Sequence, residues 1–93
     1  MKVRWSRMAS SDLAGISRYI RQFDPAAAKR VGQRIKAAAE RLSCFPELGR
    51  IGSVEGTREK LALPYPYLII YEIETVRSEI WILRVYHTSQ NRP

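Results

Sequence analysis

The sequence predicts an α+β fold, a twisted antiparallel sheet covered on one face by an N-terminal helical hairpin, in the order β-α-α-β-β-β. Three observations predict it. Apolar residues in the first half recur at steps of three and four, the helical period. Those in the second half alternate or run together, as strand residues do. A stretch punctuated by Gly49, Gly52 and Gly56 separates the two regimes. With 93 residues there is room for a single domain, taken as 1–93.

Val3 and Trp5 alternate with Lys2, Arg4 and Ser6, which reads as a short opening strand. A helix is expected to start at Ser10 or Ser11, where a serine hydroxyl caps free amides and Asp12 meets the positive helix end. Leu13, Ile16, Ile20 and Phe23 form one apolar stripe, expected to face the sheet. Asp24-Pro25 stops that helix and opens another, since proline disfavours helix before it and suits the first helical position. The second helix is predicted from Pro25 to about Ser43, on the spacing of Ala28, Val31, Ile35, Ala38, Leu42 and Phe45. So short a link folds the two into an antiparallel hairpin. Its outer faces carry Arg18, Arg21, Lys29, Arg30, Arg34, Lys36 and Arg41.

Pro46–Thr57 reads as a loop, with Arg50 closing off carbonyls at the helix exit. Arg58–Leu63 then alternates. Leu61 and Leu63 are expected on the buried face, which leaves Arg58 and Lys60 together on an open sheet face as a phosphate or carboxylate contact. Tyr67–Glu74 (YLIIYEIE) is nearly continuous apolar sequence, as a central strand is. Glu79–His87 (EIWILRVYH) follows the turn-like Thr75–Ser78, a spacing that permits an antiparallel pair. Thr88–Pro93 is a polar tail.

Sixteen Lys and Arg face nine Asp and Glu, a net charge of +7. The excess is lopsided: residues 1–50 hold eleven basic and four acidic side chains, and the remainder five of each. Such a field favours an acidic partner, whether nucleic acid, an anionic membrane or an acidic protein segment. A lone cysteine, Cys44, excludes an internal disulfide and fits a reducing cytoplasm. No apolar run approaches a bilayer span and no signal peptide is expected. A single Cys and a single His cannot build a zinc site, and neither a glycine-rich phosphate loop nor a Ser/His/Asp triad is present, so no metal or cofactor is expected. The aromatic residues Trp5, Trp81, Tyr65, Tyr67 and Tyr71 read as packing rather than base-stacking platforms.

Five pieces in order carry a resemblance: D-L-x-x-I-x-x-Y-I (Asp12–Ile20), F-P-E-L-G-R (Phe45–Arg50), G-T-R-E-K-L (Gly56–Leu61), Y-L-I-I-Y-E-I (Tyr67–Ile73) and I-L-R-V-Y-H-T-S-Q-N-R-P (Ile82–Pro93). Together they resemble the RelE/ParE toxin superfamily over nearly the whole chain. The resemblance implies a cytoplasmic growth-inhibiting toxin of a type II toxin–antitoxin pair, held in check by a partly disordered antitoxin segment. It also implies one of two activities, inhibition of DNA gyrase as in ParE-like members or ribosome-dependent mRNA cleavage as in RelE-like ones. The ParE-like branch is favoured, because a basic residue common in nuclease members corresponds to Leu68 here and their C-terminal arginine or tyrosine corresponds to Thr88.

Metal-free RNA cleavage needs a group to deprotonate the 2′-hydroxyl, one to stabilise the phosphorane and one to protonate the leaving oxygen. The candidates for a nuclease are His87, Arg84, Lys60, Arg58 and Tyr86. His87, the sole histidine, either orients the tail or acts in the site. Arg84 either contacts phosphate or ties the last strand to Glu72 or Glu74. For a binding inhibitor the expected target contacts are Arg58, Lys60, Arg84, His87, Gln90 and Arg92. Ile20, Arg34, Arg41 and Tyr71 are the expected antitoxin contacts.

Overall fold

A computed structural model describes residues 1–90, and Arg92 of the expected target contacts lies outside them. In chain order the elements are β1 (Lys2–Trp5), α1 (Arg7–Arg21), α2 (Pro25–Arg41), β2 (Arg50–Ile51), β3 (Arg58–Leu61), β4 (Tyr67–Glu74) and β5 (Glu79–His87). Helix α1 starts earlier than its serine pair suggests. Its cap is Ser6, whose side chain accepts from the Ala9 N–H at 3.0 Å. Asp12 therefore sits inside the helix and is available for another partner.

Leu13, Ile16 and Ile20 pack against the core as their stripe requires. Phe23 does not. It lies beyond the last turn of α1 and is 72% exposed, stacked edge-to-face on exposed Tyr19 with ring centroids 5.4 Å apart. Helix α2 is capped by Asp24, whose carboxylate accepts from the Ala27 N–H at 3.0 Å, with Pro25 where its missing N–H costs no helical bond. Ala28, Val31, Ile35, Ala38 and Leu42 are buried as predicted, while Phe45 falls past the helix and stands exposed under the Arg41 guanidinium.

The sheet has five strands in the order β1-β5-β4-β3-β2. It is mixed rather than wholly antiparallel, because β1 pairs with β5 in parallel, Val3 beside Ile80 and Trp5 beside Ile82. The helical hairpin returns the chain to the opposite edge of the sheet, and β5 finally enters between β1 and β4. The Pro46–Thr57 segment is not all loop. Its Arg50 and Ile51 form β2, opposite Glu59 and Arg58 of β3.

Residues directly opposite on neighbouring strands share a sheet face. Ile69 and Tyr71 of β4 and Ile82 and Val85 of β5 are buried beneath the helices. Lys60 and Arg58 pair with Ile69 and Tyr71, so both cations belong to the helix-covered face and not to the open one. Leu61 and Glu59, paired with Leu68 and Ile70, take the open face, and Leu61 and Leu63 are exposed rather than buried. The parity of the alternation holds, but its sign is reversed. A bulge where the register shifts between Ile70 and Tyr71 leaves Leu83 as the extra residue, so that Arg84 and Tyr86 face outward while Ile82 and Val85 both face the core.

Beyond Trp5 the outer edge of β5 has no neighbouring strand, and side chains take over. The Ser6 N–H donates to the Ile82 carbonyl at 2.9 Å, the Ser6 hydroxyl donates to the Leu83 carbonyl at 3.0 Å, and Asp12 accepts from the Val85 N–H at 2.9 Å. Gln90 Oε1 accepts from the His87 N–H at 2.6 Å. Each bond satisfies a backbone group that an edge strand would otherwise leave open.

Candidate functional site

The five residues expected of a nuclease are split between two faces. Arg84 and Tyr86 point outward on the open face, with the Arg84 guanidinium 4.8 Å above the Tyr86 ring. Arg58, Lys60 and His87 lie on the helix-covered side, since His87 is opposite Tyr67.

Arg84 is also engaged. Its Nε and Nη2 donate to the two carboxylate oxygens of Asp12 at 2.8 and 3.1 Å. The tie expected to Glu72 or Glu74 is thus made to a residue of α1. The hydrogen bond from Arg84 to Asp12 holds the guanidinium above the usual arginine range, so it stays a cation throughout. Arg58 donates through Nη1 to the Gly49 carbonyl at 2.8 Å, in the loop well past the end of α2, and Arg50 does not close the helix exit as expected. Arg50 instead pairs with Glu59 at 3.0 Å, and the Glu59 carboxylate is almost wholly covered. Lys60 is half-buried.

The open face carries a hollow of about 270 Å³ lined by Ser53, Val54, Ile70, Leu83, Arg84 and Tyr86 among others. On the opposite side of the sheet, a groove of about 580 Å³ runs between α1 and β5, where His87, Tyr67, Tyr19, Ser89 and Gln90 meet. Burial, with Tyr19 adding, pushes the Tyr67 phenol above its ordinary range, so it remains a neutral donor near pH 7. His87 packs edge-to-face on Tyr67 with centroids 5.3 Å apart. Its Nδ1 accepts from the Ser89 N–H at 3.1 Å and contacts the Ser89 hydroxyl at 2.7 Å.

The expected antitoxin contacts are also dispersed. Ile20 is half-buried against the core, and Arg34 and Arg41 are exposed on α2. Tyr71 is fully buried in the chain; its hydroxyl donates to the Pro46 carbonyl at 2.6 Å and accepts from the Gly49 N–H at 3.0 Å. Arg34 donates through Nε to the Leu63 carbonyl at 2.6 Å. Ala62 N–H bonds back to Tyr67, so the alternate residues Leu61 and Leu63 turn their backbone groups outward, past the reach of β2.

Two features escaped sequence reading, one ion pair and one exposed aromatic pair. Asp12 has its partner 72 residues away, beyond any local pattern. The exposed pair Tyr19 and Phe23 sits at helical spacing and therefore mimics a core stripe. Among the described residues no cluster of His, Cys, Asp and Glu could hold a metal ion, and no helix is long and apolar enough to cross a membrane.

The architecture is thus a basic helical hairpin on a mixed five-stranded sheet, with Arg50, Arg58 and Arg84 tied to the protein's own backbone and carboxylates. The chain belongs to the ParE toxin family, since the model for the ParE toxin of the type II toxin–antitoxin system parDE matches residues 3–92. It is 38% identical over 92 residues to a protein designated toxin Y4kP of Sinorhizobium fredii, covering 99% of this chain and 93% of that one. It is 37% identical over 89 residues to toxin RelE2 of Caulobacter vibrioides, covering 96% and 97%. Among solved structures it is similar to the chromosomal ParDE system of P. aeruginosa, with a TM-score of 0.85, 25% identity and coverage of 96% and 97%. The RelBE2 toxin–antitoxin complex of Mycobacterium tuberculosis aligns with a TM-score of 0.68 at 26% identity, covering 92% and 95%.

Proposed function

We propose that this toxin acts as a ParE-like inhibitor that binds the gyrase–DNA machinery without chemistry of its own, and that a cognate antitoxin neutralises it. The observation that supports this reading most is the two-point hold of Asp12 on Arg84, which commits to α1 the one strand cation nearest His87 in sequence. General acid–base cleavage needs those groups around one phosphate. A binding inhibitor needs only a stable surface. His87 and Gln90 supply such a surface where β5 ends, with Arg84 at its margin, and Arg58 and Lys60 contribute from β3; Arg92, outside the described residues, is a further proposed contact.

The antitoxin is an acidic, partly disordered segment that folds on binding. The outward backbone of Leu61 and the Leu63 N–H accept it as an added strand, beside the cations Arg34, which already holds the Leu63 carbonyl, and Arg41 of α2.

A RelE-like ribosome-dependent nuclease is the second reading, supported by the 37% identity to a toxin named RelE2. Expression of the chain without antitoxin separates the two in cells. Filamentation with a DNA damage response supports gyrase as the target. Rapid loss of translation without filamentation overturns it.

A further inference from the structure

The geometry points to a proton-operated latch at the C-terminal turn, in which neutral His87 pins Ser89 at the groove between α1 and β5 and charged His87 lets the Ser89 N–H go. Its regulatory consequence rests on the toxin reading above; the opening itself rests on hydrogen-bond geometry alone.

The turn closes on His87 from four directions. Gln90 Oε1 accepts from the His87 N–H at 2.6 Å, and the Gln90 N–H donates to the His87 carbonyl at 2.9 Å. Ser89 contributes its backbone N–H at 3.1 Å and its hydroxyl at 2.7 Å, both directed at Nδ1. A backbone N–H can only donate, so Nδ1 must be the unprotonated nitrogen and the ring proton sits on Nε2. Protonation puts a hydrogen on Nδ1. The Ser89 hydroxyl can rotate and become an acceptor, but the Ser89 N–H cannot, and two donors then face each other.

Neighbouring groups do little to offset that conflict. From β4 the ring meets Tyr67, a neutral phenol. Across the groove α1 presents Tyr19 and Asp12, and the Asp12 carboxylate is already shared between Arg84 and the Val85 N–H. The turn is exposed, so water replaces the lost bond, and the turn loosens at Ser89 while the two Gln90 bonds to the His87 backbone stay in place. Loosening at Ser89 alters the Ser89 and Gln90 margin of the groove, which the proposed target contact uses.

The test is a ¹⁵N and ¹H NMR titration of the whole chain from about pH 8 to about pH 5, the window in which histidine changes charge. Expected is the Nε2–H tautomer at the alkaline end. The Ser89 and Gln90 amides should then shift with the same midpoint as the His87 ring, and Ser89 protection should fall roughly two- to tenfold, as for one lost hydrogen bond. His87→Gln, whose amide oxygen accepts at every pH, should keep both amides still, and Ser89→Ala should leave the transition in place. An Nδ1–H tautomer at about pH 8, or a Ser89 amide indifferent to the ring's titration, overturns the latch. Neither result depends on which target the toxin binds, so failure here is distinguishable from failure of the gyrase reading.

Discussion

Asp12 and Arg84, 72 residues apart, form a two-point ion pair at 2.8 and 3.1 Å, and the same carboxylate accepts from the Val85 N–H at 2.9 Å. This carboxylate fastens α1 to β5 just where β1 ends. Asp12→Ala leaves a partly covered guanidinium and a strand N–H without partners and should cost about 2–3 kcal/mol, read by urea denaturation. Arg84→Met should cost less, because Asp12 keeps Val85. A double-mutant cycle that returns no coupling would show that the pair contributes nothing to stability.

Burial separates the two helical stripes energetically. Ile35 is fully buried, and its truncation to Ala should cost about 2–4 kcal/mol through the cavity left behind. Ile20, half exposed, should cost about half as much, and Phe23→Ala should lie within about 0.5 kcal/mol of the parent. Equal losses at Ile35 and Phe23 would contradict the placement of α1.

Two glycines give opposite expectations. A Cβ on Gly49 would stand 2.7 Å from the Glu59 carbonyl oxygen and from the Tyr71 hydroxyl, so Gly49→Ala must displace buried groups and should lower stability by about 2 kcal/mol. Nothing lies within 4 Å of a Cβ on Gly32, inside α2, where Ala should stabilise by about 0.5–1 kcal/mol. Thermal melts of the two variants check the pair, and a tolerated Gly49→Ala would be the contrary result.

The acid limb of stability should run through Glu79. Its hydrogen bond from Arg4, at 2.7 Å, and another from Trp81 hold the carboxyl below its ordinary range. The unfolded chain therefore takes up the proton first as pH falls, and the stability present at neutral pH is lost through the carboxylate range. Glu79→Gln should flatten that loss. Parallel pH–stability curves for parent and variant would refute it.

The helices were legible in the sequence because a stripe such as Ala28, Val31, Ile35, Ala38 and Leu42 repeats a period that only a helix buries on one side. Asp24-Pro25 marked its start for an equally local reason. The start of α1 was not legible, since Ser6, Ser10 and Ser11 are alike as caps, and Ser6 and Asp12 both make bonds to β5 that local sequence does not announce. The face of β3 was misread: Leu61 and Leu63 look like core residues, but the strand lies near the sheet margin and leaves them in solvent. Nor could local sequence orient β1, whose partner is β5. The candidate site suffers most from this, because its residues acquire meaning only once the face of each strand is known.

If Leu61 and Leu63 form the antitoxin-receiving edge, Arg34→Glu together with Arg41→Glu should weaken antitoxin binding by at least about tenfold while growth arrest persists. Hydrogen exchange at Leu61 and Leu63 should slow in the complex. Unchanged exchange there, with binding intact, would place the antitoxin elsewhere.

The most direct test of the proposed activity is to put the purified toxin into two reactions, gyrase supercoiling of relaxed plasmid and mRNA cleavage on programmed ribosomes. The expected result is blocked supercoiling with the mRNA left intact. Codon-specific cuts in the ribosome reaction, reduced roughly 10²–10⁴-fold in the His87→Gln variant, together with unimpeded supercoiling, would contradict the binding-inhibitor reading and assign the chain to the nucleases.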